Sequence, residues 1–122
     1  MLAAILESGD LERLYTGLSL LVSAAAEGRP ARGFVGFGAP GALLGDPEAG
    51  AHVIAAEREP FARTLAGLRD AALELPDCRL WACAAAVQAT GADWAEVSER
   101  LGGVISMPQF LREIAGAELV FV

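Results

Sequence analysis

Two cysteines, one histidine and a few serines and carboxylates are the side chains of this chain that could do chemistry. Cys83 is the strongest nucleophile among them. It ends an apolar run, Leu80-Trp-Ala-Cys83, and an alanine-rich segment, Ala84–Ala89, follows it. If that segment is helical, free backbone N–H groups at the start of the helix face the sulfur, an arrangement that favours the reactive thiolate. Read for packing alone, a free cysteine is equally a small buried hydrophobe. Cys78 differs. On one extended strand the two cysteines stand ~16 Å apart at about 3.3 Å per residue. That is too far for a disulfide, and the odd separation turns them to opposite faces. Cys78 is therefore expected to be structural, at the amino end of its strand. Two cysteines and a single histidine do not make a zinc site of ordinary ligand count.

The other candidates are weaker. His52 lies in a Gly-, Pro- and Ala-rich stretch and reads as a solvated loop residue. No spacing joins it to Ser8 or Ser106 as a triad. Asp10 reads as a helix cap rather than an acid, Trp81 and Trp94 as core or interface residues, and Arg79 and Arg112 as solvated. Gly36-Phe-Gly38-Ala-Pro-Gly41 matches the dinucleotide fingerprint, with Glu57 and Glu59 about 20 residues on. That fingerprint needs a full helix starting within its glycines. Gly45-Asp46-Pro47 is expected to break the chain after one turn at most, so the match reads as chance.

The elements that must position these residues follow from the apolar pattern. Strands are expected at Leu2–Leu6, Ala31–Phe37, Arg79–Cys83, Val104–Ile105 and Glu118–Val122. A helix capped by Asp10 carries Leu11, Leu14, Leu18 and Val22 on one face and ends at Gly28-Arg29-Pro30. Gly38 to Arg58 reads as a long loop with a turn of helix at Gly41–Leu44. Glu59-Pro60 opens a helix with proline at its first position. Asp93 to Glu96 and Ser106 to Gln109 have capping-box spacing and open two more. Strand and helix alternate from end to end, which predicts an α/β fold: a single domain over 1–122, with a mostly parallel five-stranded sheet in a three-layer α/β/α sandwich. Ligands of such sheets bind at the carboxyl ends of the strands. The residues expected there are Ser8, Gly9 and Asp10, then Gly38 and Gly41, then Cys83 with Ala84 and Ala85 behind it, and Ser106.

Composition narrows the function further. The chain has 122 residues, nine basic against 16 acidic, for a formal net charge of −7. All nine basic residues are scattered arginines, so no concentrated positive patch suits nucleic acid or an anionic membrane. A mean hydropathy of +0.43 is high. Yet the longest charge-free stretches, Leu14–Ala26, Gly33–Gly45 and Leu80–Ala92, have 13 residues each, short of the ~20 a membrane span needs. Met1–Leu6 has no basic flank and is too short for a signal peptide. The expectation is a cytoplasmic protein whose apolar surplus lies in subunit interfaces.

Several segments together resemble the DsrE/DsrF-like family. The run Leu80-Trp-Ala-Cys83-Ala-Ala-Ala-Val87, with Gly91 and the helix from Asp93, is similar to that family's active-cysteine segment. Tyr15–Gly28 resembles its first helix. Phe34-Val-Gly-Phe37 with Gly41-Ala-Leu-Leu44 resembles its second strand and the loop after it. Gly103–Ser106, the helix at Met107 and the closing Glu118–Val122 also match, so the resemblance spans the chain through the order and spacing of loose motifs. It implies a three-layer α/β/α fold, homotrimers or hexamers and, in sulfur-relay members, a cysteine that carries sulfane sulfur as a persulfide. Some members are described as peroxiredoxin-like. Cys83 is the residue that carries over, with sulfur-donor and sulfur-acceptor proteins as partners and no cofactor, since a thiolate attacks a persulfide sulfur directly. The chain departs from the family in Ala84-Ala85-Ala86, which puts no polar residue directly after the cysteine. A thiol peroxidase fits less well, because no resolving cysteine or Thr-x-x-Cys accompanies Cys83. The alternative from another class is a non-catalytic oligomeric protein that holds a small ligand, with Cys83 buried and inert.

Overall fold

Five short apolar runs form the strands of one sheet. A computed structural model describes residues 1–45 and 58–122, and the reading of His52 and Glu57 falls outside these. In chain order the elements are β1 (Leu2–Leu6), α1 (Leu11–Ala26), β2 (Ala31–Val35), α2 (Gly38–Leu44), α3 (Arg58–Glu74), β3 (Cys78–Cys83), α4 (Ala84–Thr90), α5 (Trp94–Arg100), β4 (Val104–Ile105), α6 (Met107–Glu113) and β5 (Glu118–Phe121). The sheet runs β4-β3-β2-β1-β5, and every pairing is parallel. The fold is thus α/β with an all-parallel five-stranded sheet between helical layers.

Strand alternation divides the core in two. Leu2, Ala4 and Leu6 of β1, Ala31 and Val35 of β2, and Cys78, Leu80 and Ala82 of β3 face Leu14, Leu18 and Leu21 of α1, Leu65 and Ala72 of α3, and Val97 of α5. Tyr15 and Phe61 stack at 5.2 Å between α1 and α3. The opposite face, Ala3, Ile5, Phe34 and Trp81, lies under Phe110 of α6 and Ile114, the residue that caps its end. Phe110 stacks on Phe34 at 4.5 Å and meets Trp81 edge-on at 6.1 Å. Among the described residues one seven-residue helix therefore covers this face, and β5 leaves Leu119 and Phe121 exposed there. The asymmetry follows from topology. Parallel crossovers share one hand. The chain moves β1→β2→β3→β4 in one direction, then reverses to reach β5, so α6 must lie on the face opposite the other helices.

Local chemistry sets the helix ends. The Asp10 carboxylate accepts from the N–H groups of Glu12 at 2.8 Å and Arg13 at 3.3 Å, capping α1 as its type and place predict. Asp93 accepts from the Glu96 N–H at 3.2 Å and caps α5. Ser106 and Gln109 form the complete reciprocal box at the start of α6.

Several boundaries differ from expectation. Where Gly38–Arg58 reads as a long loop, Gly38–Leu44 is helix α2 of two turns. Ala39 and Leu43, four apart, both pack into the core and override the low helix propensity of the glycines. β2 stops at Val35 rather than Phe37, because Phe37 turns to a positive φ. α3 begins at Arg58, which makes Pro60 its third residue rather than its first. Proline is tolerated there because first-turn N–H groups have no intrahelical partner. β3 begins at Cys78 itself, whose N–H donates to the Leu75 carbonyl at 3.1 Å. No helix among the described residues is long and apolar enough to cross a membrane.

Candidate functional site

The reversal that sends α6 to the far face also makes the carboxyl ends of β3 and β4 the switch point of the sheet. From the end of β3 the chain departs through α4 on one face, where Val87 joins the larger core cluster. From the end of its neighbour β4 it departs through α6 on the other. Adjacent strands whose connections part to opposite faces leave a crevice between them, the place where open α/β sheets hold ligands. Cys83 and Ile105 are registered partners at that point, and Ser106 follows directly.

Cys83 is both the last residue of β3 and the N-cap of α4, and its side chain makes no cap hydrogen bond. It is half-buried, at the margin of the α6-side cluster, packed there with Ile105. On the β2 side its neighbour is Gly36. A methyl group on Gly36 would stand 3.5 Å from the Cys83 Cβ and 3.4 Å from that of Ala86. Ala84 is half-buried and Ala85 exposed in the first turn of α4.

Cys78 has the opposite setting. It is 7% exposed and faces the larger core cluster. Burial pushes its thiol up to about 11, against the lowering influence of the nearby Arg32 guanidinium. Both cysteines are free thiols. The expected division, with one structural cysteine and one at the carboxyl edge, matches where the fold places them.

The other residues expected at this edge divide into two groups. Ser8, Gly9 and Asp10 form a tight turn after β1, in which Ser8 Oγ accepts from the Asp10 N–H at 3.1 Å. Gly9 and Gly38 meet backbone to backbone: a Cβ on Gly38 would lie 3.2 Å from the Gly9 nitrogen. The loops after β1 and β2 thus touch through glycines, while the Asp10 carboxylate is engaged as a cap. Gly41 stands elsewhere. It lines an open cleft of about 300 Å³ between α2 and the start of α5, with Pro40, Leu44, Asp93, Glu96 and Arg100. Arg100 ties the cleft together, donating to the Leu44 carbonyl at 3.1 Å and pairing with Glu96 at 3.5 Å. Cys83 does not line this cleft.

The glycine fingerprint is partly corrected. The helix that begins within its glycines has two turns where one at most is expected, and it ends at Gly45 as expected. Its third glycine, however, has the task of close helix–strand packing, and a Cβ on Gly41 would meet nothing within 4 Å. Trp81 is buried, whereas Trp94 is exposed. Arg79 lies over the Trp81 ring at 5.4 Å.

Two residues of the edge escape sequence reasoning. Gly36 is one, and Phe37 is the other. Phe37 has φ 48 and ψ −118 and is exposed. The signal was present in Gly36-Phe-Gly38: two glycines flanking an aromatic mark a sharp turn that displays it.

No family model matches the chain, and no curated protein matches its sequence.

Proposed function

We propose that this protein is a DsrE-like sulfur carrier in which Cys83 takes sulfane sulfur from a donor persulfide and passes it to an acceptor thiol. The observation that supports the reading best is the place of Cys83: half-buried, at the end of β3, where the connections of β3 and β4 part. In loading, the Cys83 thiolate attacks the outer sulfur of a donor R–S–SH. A new S–S bond forms to Cys83, the donor S–S bond breaks, and R–S⁻ leaves with its electron pair. Delivery is the same displacement in reverse sense, with an acceptor thiolate attacking the outer sulfur of the Cys83 persulfide. Neither step requires an oxidant, a metal or a cofactor. A cytoplasmic, reducing setting suits a chain that keeps both thiols free.

The reading includes assembly into trimers or hexamers. Exposed Leu111, Leu119 and Phe121, the last 72% exposed, are apolar groups that assembly would cover. Sedimentation equilibrium at micromolar concentration should give a mass above one chain.

Intact-protein mass spectrometry after incubation with a low-molecular persulfide donor tests the chemistry. Wild type and Cys78→Ser should each gain one sulfur atom, and Cys83→Ser should gain none. Equal loss in both variants would overturn the assignment. A second reading, a small-ligand-binding protein, draws support from the cleft between α2 and α5, where Asp93, Glu96 and Arg100 offer charge beside Pro40 and Leu44. Its mark would be a folded wild type that takes up no sulfur and alkylates slowly at Cys83.

A further inference from the structure

We infer that β5 is a docking edge for a second copy of this chain: two β5 strands pair antiparallel about a two-fold axis and join two five-stranded sheets into one. The hydrogen bonds of β5 fix which of its groups face outward. Glu118 and Val122 donate their N–H groups to the Met1 and Ile5 carbonyls at 3.0 and 3.1 Å, so in this parallel register every second residue bonds β1. Leu119 and Phe121 therefore turn their N–H and C=O groups away from β1, and no described strand lies beyond β5. Their side chains leave the sheet on the α6 face. Leu119 is registered with Ala3 and Phe121 with Ile5, both members of the core cluster on that face. Leu119 is 40% exposed and Phe121 72%. The same two residues thus offer solvent both outward backbone groups and apolar side chains.

The strand is self-complementary. With the two-fold through Val120, Leu119 stands opposite the partner's Phe121 and Phe121 opposite the partner's Leu119, the closely hydrogen-bonded positions of an antiparallel ladder. Each copy donates two N–H groups and accepts two, and no outward group of either residue is left over. A two-fold normal to the sheet keeps both α6 faces on one side, so the leucine and phenylalanine side chains meet as cross-strand neighbours. Moving the axis to Leu119 would set Phe121 opposite Ala117, whose N–H is already given to the Ile114 carbonyl at 2.9 Å. Charge favours the same register. Glu118, the one charged residue of β5, falls opposite the partner's Val122 rather than its own copy, and it is paired with Arg29 at 3.2 Å. Sheet edges are protected from such pairing by shortness, charge or proline. β4, at the other edge, has two residues, whereas β5 has neither charge nor proline from Leu119 to Phe121. The contact is isologous, so it belongs to a dimer or to the two-fold axes of a hexamer and not to a trimer. It is independent of the chemistry at Cys83, which lies on β3 with β2 and β1 between.

Sedimentation velocity of the full chain tests the contact, and disulfide trapping tests its register. Wild type should sediment as an even number of copies at micromolar concentration. Phe121→Lys, folded by circular dichroism, should halve that number, dimer to monomer or hexamer to trimer. Trapping uses a Cys78→Ala, Cys83→Ser background with diamide as oxidant. Val120 and its copy form a non-hydrogen-bonded pair with Cα atoms about 4.5 Å apart, within disulfide range. Val120→Cys should therefore give a covalent dimer, and Leu119→Cys, which faces Phe121 and not its own copy, should give none. A single copy or an odd number in wild type overturns the inference. So does a copy number that folded Phe121→Lys leaves unchanged, or a cross-link through Leu119→Cys in place of Val120→Cys. Sulfur uptake by a wild type that stays single removes this inference alone. Association with both expected results but no uptake removes the sulfur-carrier reading alone.

Discussion

The two cysteines occupy opposite ends and opposite faces of β3, five positions apart. At the amino end, Cys78 is sealed among leucines and alanines of the larger core cluster, and its thiol is held neutral by burial. At the carboxyl end, Cys83 stands where the sheet's connections part, half-buried beside a glycine. Residue type is identical, so the difference comes from position alone. A strand in a parallel sheet has one end that can be closed by packing and one that topology can hold open. On the sulfur-carrier reading, reactivity belongs to the carboxyl end, and a change at either end should leave the other nearly untouched.

The largest break in this comparison should come from the thin face. Phe110 is fully buried and is the contact through which α6 covers Phe34 and Trp81. Truncating it to alanine should cost about 3–5 kcal/mol, a large part of the 5–15 kcal/mol typical of a domain, and should lower the urea midpoint accordingly. Cys83, at the margin of that cluster, should alkylate faster in Phe110→Ala. Cys78, on the other face, should remain protected in the native state. Loss of protection at both thiols below the unfolding transition would show that the two faces do not behave independently.

Next in size is an alkaline effect at the sealed end. The Cys78 thiol is raised from 9.0 to about 11. Its folded form thus stays protonated while the unfolded chain ionises, so stability falls as pH rises from 9 to 11, with about 2–3 kcal/mol at stake. Below pH 9 both forms are protonated and the contribution is fully present. Denaturant midpoints at pH 7.5 and 10.5 should diverge in wild type, and in Cys78→Ala much of that divergence should vanish. Cys83→Ala should leave it in place. Smaller still, Asp10→Ala should cost about 1 kcal/mol by leaving two first-turn N–H groups of α1 uncapped, with sulfur uptake at Cys83 unchanged.

Much of this was legible in the sequence because the signals are local and strong. Period-two burial is absent from Leu2–Leu6, and continuous apolar character marks a strand covered on both faces. Asp10, Asp93 and Ser106 announce their helices by type and spacing. The odd separation of Cys78 and Cys83 by itself puts them on opposite faces of a strand. Less legible was Gly38–Leu44, where tertiary contacts of Ala39 and Leu43 overrule glycine's reluctance to be helical. The strain at Phe37 was hidden for a related reason. A backbone forced out of its preferred region is a property of what surrounds it, here the backbone contact of Gly9 with Gly38 and the Ala39 to Gly36 hydrogen bond. The thin second layer depends on strand order, which no residue pattern encodes directly.

The smallest expected effect on stability falls at the open end and sharpens the comparison most. Gly36 lies buried beside Cys83, and its N–H donates to the Leu6 carbonyl at 2.9 Å, a bond that alanine keeps. The added methyl would meet the Cys83 and Ala86 Cβ atoms at 3.5 and 3.4 Å, which is ordinary van der Waals contact. Restricting the unfolded chain by a glycine-to-alanine change contributes about 0.4–1 kcal/mol where the native backbone accepts it. Gly36→Ala should therefore fold with unchanged or slightly raised stability. The same methyl fills space beside the Cys83 Cβ, so iodoacetamide should alkylate Cys83 more slowly in Gly36→Ala, and sulfur loading should slow in step. If Gly36→Ala melts as wild type does and Cys83 reacts at the wild-type rate, reagents reach the sulfur from the α6 side alone, and the open end is narrower than the parting of β3 and β4 implies.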